Sequence, residues 1–238
     1  METGSMKKST YKAIFFDLDH TLWDYECNAE ETLKELFLHY QLEEKGIPGS
    51  GAFFKKFVEV NNALWHLYDH GKIDSEKVRI ERFKQILTPF GAYDPELSDC
   101  LSRDYLDWCP QKKKLIPNAL EVLEYLSDKY SLTIVTNGFE EIQHTKLSSG
   151  NLRGYFDHVV TSQYAGHRKP SKEIFQTALN KNAVFQHEAL MVGDNLITDI
   201  AGAHNAEMDA VYFNPSKINH DVVVKYEISD LLELITLL

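Results

Sequence analysis

The chain has 238 residues, 43% of them hydrophobic and 26% charged, which suits one large soluble domain or a core with a smaller insert. Its net charge of −11 repels nucleic-acid phosphates, so no nucleic-acid partner is expected, and it disfavours any anionic ligand unless a metal or local cations reverse the sign. No stretch approaches the roughly 20 apolar residues of a membrane span, the polar opening METGSMKKST is no signal peptide, and three cysteines (Cys27, Cys100, Cys109) without a CxxC pair fit a reduced, cytoplasmic protein.

Residues 11–17, YKAIFFD, form a short apolar and aromatic run ending in acid, the pattern of a buried strand. From about 25 to 112 the periodicity is helical almost throughout, with candidate helices Asn28–Leu42, Ala52–His70, Ser75–Leu87 and Pro95–Trp108. Breakers at Gly46–Gly51, Gly71, Pro89–Gly91 and Pro110 separate them. Beyond this block, β-rich runs return at 131–138, 156–162, 188–195 and 208–214. Between them lie helical patterns at Pro117–Lys129, Phe139–Leu147, Lys172–Leu179 and Ile197–His204, and Ile228–Leu238 reads as a final helix. Strands alternating with helices predict an α/β fold with a parallel sheet, and ligands then bind at the carboxyl ends of the strands. The first strand precedes the helical block and the others follow it, so residues 25–112 are an insert and 11–24 with 113–238 are the core. An insert at the end of the first strand is placed to act as a lid. Its aromatics (Phe53, Phe54, Phe57, Trp65, Tyr68, Phe83, Phe90, Tyr105, Trp108) suit a bundle core, and Trp23 at the hinge is the aromatic best placed for substrate contact.

Four polar signals fall at predicted strand ends. Asp17 and Asp19 stand two residues apart after an apolar strand, and two carboxylates there need a cation to offset their repulsion. Asp17 has the chemistry of a carboxylate nucleophile towards phosphorus, and Asp19 that of a general acid and base. Thr136-Asn137-Gly138 offers a hydroxyl and backbone N–H groups to phosphate oxygens. Lys169, before Pro170 and a helical pattern, offers an ammonium. Asp194 is a candidate metal ligand, and Asp199, one turn on, a partner for a metal-bound water or for Lys169. Each signal alone has a plain reading as a capped turn or a solvated acid. Together they are the parts of a phosphoryl-transfer site.

These residues resemble the haloacid dehalogenase (HAD) superfamily. FFDLDHTLWD is similar to its first motif, DxDx[T/V], TNG to the second, HRKP to the third and GDNLITD to the fourth; the helical insert is similar to the cap of subfamily I. The resemblance spans residues 11–238. It implies a Rossmann-like core with the first-motif strand central and the fourth-motif strand beside it. It implies Mg²⁺ held by the Asp17 side chain, the Asp19 backbone carbonyl, the Asp194 side chain and waters. Thr136 and Lys169 would bind the transferring phosphoryl group, Asn137 and Gly138 would lie near it, and Asp199 would support the metal or the lysine. Dehalogenases of the family use one nucleophilic Asp and need no metal, which argues for a phosphatase here. TNGF, residues 152–156 and Lys169-Pro170 look most like nucleoside 5′-monophosphate phosphatases. The expectation is a Mg²⁺-dependent phosphomonoester hydrolase acting through a phospho-aspartate, a 5′-nucleotidase on a small phosphorylated substrate, as a monomer or homodimer. A phosphatase of another small ester (sugar phosphate or phosphoglycolate), a sugar phosphomutase and a scaffold without chemistry are the alternatives.

Overall fold

The structure, a computed structural model, describes residues 11–238; the polar opening stretch, read above as no signal peptide, lies outside the described residues. The chain forms two compact units. One comprises 11–22, Leu115–Asn137 and Leu152–Leu238; the other Trp23–Lys114 and Gly138–Asn151.

The first unit is built on a six-stranded sheet. Its strands are β1 (Ala13–Phe16), β2 (Ser131–Thr136), β3 (His158–Thr161), β4 (Ala189–Gly193), β5 (Asp209–Phe213) and β6 (Tyr226–Ile228). They lie in the order β3-β2-β1-β4-β5-β6, and every pairing is parallel. Ala13, Ile14, Phe15 and Phe16 are all fully buried, as befits a central strand covered on both faces. On one face Phe15, Met191 and Val135 pack with Ile174, Phe175, Ala178 and Leu179 of the helix Lys172–Asn182. The chain leaves β1 for β2 on one side and later for β4 on the other. The sheet therefore has its switch point between β1 and β4, and in sheets of this kind ligands bind beyond the strands' carboxyl ends at that point. In register, Phe16 faces Ile134 on β2 and Val192 on β4, so Asp17 leaves β1 at that point.

Two expected elements differ. The last apolar stretch is a helix only over Glu233–Leu237, and Tyr226–Ile228 before it is the sixth strand. The backbone N–H groups of Ser229 and Asp230 donate to the Glu233 carboxylate, which fixes a turn where the periodicity alone suggests a continuous helix. The expected helix Ile197–His204 is instead a π-turn over Leu196–Ile200 followed by a short α-helix, Ala201–Asn205.

The second unit contains α1 (Tyr25–His39), α2 (Ser50–Asp69), α3 (Ser75–Leu87) and α4 (Pro95–Trp108). Each packs on two others: α1 on α2 and α4, α3 on α2 and α4. Aspartates 24, 74 and 94 cap α1, α3 and α4 by accepting from backbone N–H groups three residues on. Phe37, Phe53, Phe57, Phe83 and Tyr105 fill the middle, with ring centroids 5.0 Å apart for Phe57–Tyr105. Trp23, expected to face substrate, is fully buried; its indole N–H donates to the Lys112 carbonyl at 3.3 Å. The helix Glu140–Ser149, expected with the core, groups with this unit. Phe139 stacks on Trp65 at 5.4 Å, Arg79 pairs with Glu141, and the Lys146 ammonium sits 4.5 Å from the Trp23 ring.

Candidate active site

The carboxyl ends of β1 and β4 and the loop before the helix Lys172–Asn182 bring four ionisable side chains together. Asp17 is held by its own backbone, whose N–H donates to the Val192 carbonyl at 3.0 Å. Its side chain is 13% exposed, and Oδ1 accepts from Lys169 Nζ at 2.6 Å. The same ammonium donates to Asp199 Oδ1, also at 2.6 Å. Asp194 accepts from the Thr21 hydroxyl at 3.1 Å. One oxygen from each of Asp17, Asp194 and Asp199 lies within 4.8 Å of the others.

Local geometry explains these positions. Asn195 caps the turn after β4, its Oδ1 accepting from the N–H groups of Ile197 and Thr198. Its carbonyl receives the N–H of both Asp199 and Ile200, the latter bond closing the wider π-turn. That turn aims Asp199 back at the strand end, where Oδ2 accepts from the Asn195 N–H at 3.1 Å. Gly193 leaves the room: a Cβ there would lie 2.3 Å from Asp199 Oδ2 and 2.5 Å from its Cγ. Gly193→Ala is accordingly expected to lower stability by about 1–3 kcal/mol, the usual cost of overpacking a tight core. Thermal unfolding of the variant checks this.

Lys169 is 2% exposed, and its main chain is clamped. Asn137 Oδ1 accepts from the Lys169 N–H at 2.8 Å, and Asn137 Nδ2 donates to the Lys169 carbonyl at 3.0 Å. The Asn137 side chain, expected beside phosphate, thus serves the lysine loop. Thr136 ends β2 and is 2% exposed. Gly138 begins a segment of the other unit, where the Gln143 amide stands against its Cα; a Cβ would meet it at 1.7 Å. Asp19 lies two residues beyond Asp17, half-buried, and its charge helps raise the Asp17 pKa. Its carboxylate is not one of the three converging oxygens. Reading the sequence leaves Thr21, Gly193 and Asn195 without roles, although all three stand inside the first and fourth polar signals.

The electrostatics are unbalanced. If ionised, three carboxylates face one ammonium. Burial pushes the Asp17 carboxyl up to about 7 against the pull of Lys169. Burial likewise raises Asp194 to about 6, opposed by the nearby His20 and helped by Asp17. Asp199 is raised by burial too. Burial alone would lower Lys169, but Asp17 and Asp199 outweigh it and hold the ammonium above the ordinary lysine range. An all-oxygen donor set with surplus negative charge is what a hard divalent cation such as Mg²⁺ requires, and Asp17 and Asp194 fit as its ligands. Asp199 has both oxygens engaged by Lys169 and Asn195, which suits it to hold the lysine instead.

Residues 14–213 match the family model described as haloacid dehalogenase-like hydrolase. The chain is 30% identical over 230 residues to the pyrimidine 5′-nucleotidase PynA of Streptococcus pneumoniae, covering 94% of each. It is 32% identical over 209 residues to the ribulose-1,5-bisphosphate 5-phosphatase of Halopiger xanaduensis, covering 86% of this chain and 85% of that one. Among solved structures it is similar to the HAD-hydrolase YfnB of Bacillus subtilis, described as bound to magnesium. The TM-score is 0.84 at 28% identity, with 95% of this chain and 98% of that one covered.

Proposed function

The chain belongs to the haloacid dehalogenase-like hydrolases and is a phosphatase of that family, and from this premise we propose that it is a Mg²⁺-dependent 5′-nucleotidase working through a phospho-aspartate on Asp17. The observation that carries the mechanism is the convergence of Asp17, Asp194 and Asp199 at the sheet's switch point, with Lys169 bonded to Asp17 and Asp199. The nucleotide preference is supported by the similarity to PynA over nearly the whole chain.

Asp17 and Asp194 side chains, with the Asp19 carbonyl, would hold the cation, which when bound neutralises phosphate charge and so lets an anionic ester approach. The chain's own residues do the rest. Lys169 sets its ammonium against the Asp17 carboxylate and offers it to the phosphoryl oxygens. Asp17 attacks phosphorus, and the bond to the nucleoside 5′-oxygen breaks as Asp19 gives that oxygen a proton. Asp19 then takes a proton from water, whose oxygen attacks phosphorus and frees Asp17 as a carboxylate. Thr136, with Asn137 and Gly138, belongs to the phosphate-binding end. Asn137 contributes by anchoring Lys169, and Asp199 contributes by holding its ammonium. Substrate choice is assigned to the helical stretch 25–112. None of the three cysteines forms a disulfide among the described residues, which suits a cytoplasmic enzyme. No helix of the described residues is long and apolar enough to cross a membrane.

The test is phosphate release from nucleoside monophosphates, sugar phosphates and phosphoglycolate, with Mg²⁺ and with chelator. Release that needs Mg²⁺ and favours nucleoside monophosphates is expected. Preference for a sugar phosphate or for phosphoglycolate would keep the mechanism and replace the substrate. Transfer dependent on a bisphosphate activator would make the chain a mutase, and no release from any ester would make it a scaffold.

A further inference from the structure

The last turn of α2 carries two histidines that the phosphatase chemistry does not use. His66 and His70 stand at i and i+4, the spacing that puts two side chains on one side of a helix. Both are exposed. Their ring centroids lie 4.3 Å apart, closer than the roughly 4.5–7 Å at which aromatic rings ordinarily pair.

The His70 ring is already oriented. Its Nδ1 lies 2.8 Å from the His66 carbonyl oxygen. A carbonyl oxygen only accepts, so Nδ1 carries the hydrogen and the neutral ring keeps its lone pair on Nε2. A ring N–H given to a backbone carbonyl is the support that metal-binding histidines use, because it sets the tautomer and makes the other nitrogen a stronger donor to the ion. Among the described residues no hydrogen bond or ion pair engages His70 Nε2 or the His66 ring. The local field favours a cation as well. His70 is the C-cap of a 20-residue helix, whose partial negative charge gathers at this end. The chain's net charge of −11 acts in the same direction.

We propose that His66 and His70 chelate a divalent late-transition-metal ion, zinc above all, at a site separate from the carboxylates that would hold Mg²⁺. Two imidazoles at i and i+4 on one helix are a zinc-binding spacing. Donor chemistry keeps the two sites apart: imidazole nitrogen suits zinc, copper and nickel, whereas the oxygens of Asp17 and Asp194 suit magnesium. Among the described residues the one cluster of three or more metal-ligating side chains is Asp17, Asp194 and Asp199, so at the histidines water completes the shell. Two ligands supply roughly half the binding free energy of a four-ligand structural site, which puts Kd for zinc at about 1–100 µM. A bound ion ties the last turn of α2 together and so stabilises the folded helix.

The test is calorimetric titration of the full chain with Zn²⁺ at saturating Mg²⁺, on wild type, His66→Ala, His70→Asn and His187→Asn. His70→Asn keeps a donor for the His66 carbonyl and removes the ligating nitrogen. His187 is an exposed histidine of the other unit, stacked on Phe185, and serves as the control. Wild type and His187→Asn are expected to bind Zn²⁺ in the range given, and each of the two α2 variants to bind it at least about tenfold more weakly. Zn²⁺ should raise the unfolding midpoint of wild type and of His187→Asn, and leave those of His66→Ala and His70→Asn where they are. Zn²⁺ that displaces Mg²⁺ from the carboxylates would do so in all four proteins and cancels in the comparison. The site is overturned if the α2 variants take up Zn²⁺ as wild type does, or if only one of the two substitutions weakens binding, since a chelate needs both rings. It is also overturned if wild type binds Zn²⁺ only above about 1 mM, the affinity left to one unassisted ligand.

Discussion

Replacing Asp17 by asparagine is expected to lower phosphate release by at least about 10⁴-fold while leaving the fold intact, because a carboxamide cannot replace a carboxylate as the nucleophile. The fold should survive because the amide oxygen still accepts from Lys169 and the cluster loses one of three crowded negative charges. Retention of a tenth or more of wild-type activity, roughly, would remove the covalent mechanism. The same variant carries a pH signature. Burial holds the folded Asp17 carboxyl at about 7, above the ordinary 3.8. Between those values the folded protein binds a proton that the unfolded chain does not. Stability from this group is therefore greatest below the unfolded value and declines as pH rises towards the folded one. Asp194, raised to about 6, acts in the same direction. With chelator present, this group should make the wild-type unfolding midpoint fall between about pH 4 and about pH 7, and Asp17→Asn should flatten that fall. A wild-type midpoint that rises over this interval would contradict the burial-driven shift.

Lys169→Met is expected to harm both stability and turnover. The ammonium is the only cation bonded to Asp17 and Asp199 among the described residues, and it is 2% exposed. Removing one partner from such a cluster costs about 3–5 kcal/mol, because the remaining charges stay buried without compensation. For a chain of this size that is a drop of about 10 °C in midpoint. Turnover should fall about 10³-fold, the loss typical when a group that stabilises developing charge is removed. Added Mg²⁺ should recover part of the stability and little of the rate. A variant as stable as wild type in chelator would show that the carboxylates are protonated without the lysine and impose no such cost.

Five of the six strands were readable because each is a short, β-rich run bounded by polar residues or glycine. Asp17 and Asp194 stood out for the same reason, since acids at the ends of buried strands have few inexpensive explanations; Lys169 and Asp199 stood out as a cation and an acid at the openings of helical patterns. Other features depend on contacts that periodicity does not carry. Tyr226–Ile228 is a strand of three residues, of which only Ile228 is buried, so no alternation announces it. The helix Glu140–Ser149 takes its allegiance from Trp65 and Arg79, both distant in sequence. Arg82 lies among charged neighbours on α3 and reads there as one more solvated cation; only the packed bundle shows it buried on Tyr105. The π-turn at Leu196–Ile200 follows from one carbonyl receiving two N–H groups, a detail no hydrophobic pattern encodes.

The clamp between Asn137 and Lys169 has a consequence for how the two positions tolerate change. Both of its hydrogen bonds run to the main chain of residue 169, so the clamp is indifferent to which side chain stands there. Position 137 has no such latitude. Its side chain imitates a peptide group, offering one acceptor and one donor at a fixed reach. Aspartate would leave the Lys169 carbonyl without its donor, glutamine would carry the amide one methylene too far, and alanine would offer neither bond. The loop bearing the lysine is therefore not portable by itself: moved to a scaffold without the matching asparagine, it would bring the cation but not the means of aiming it.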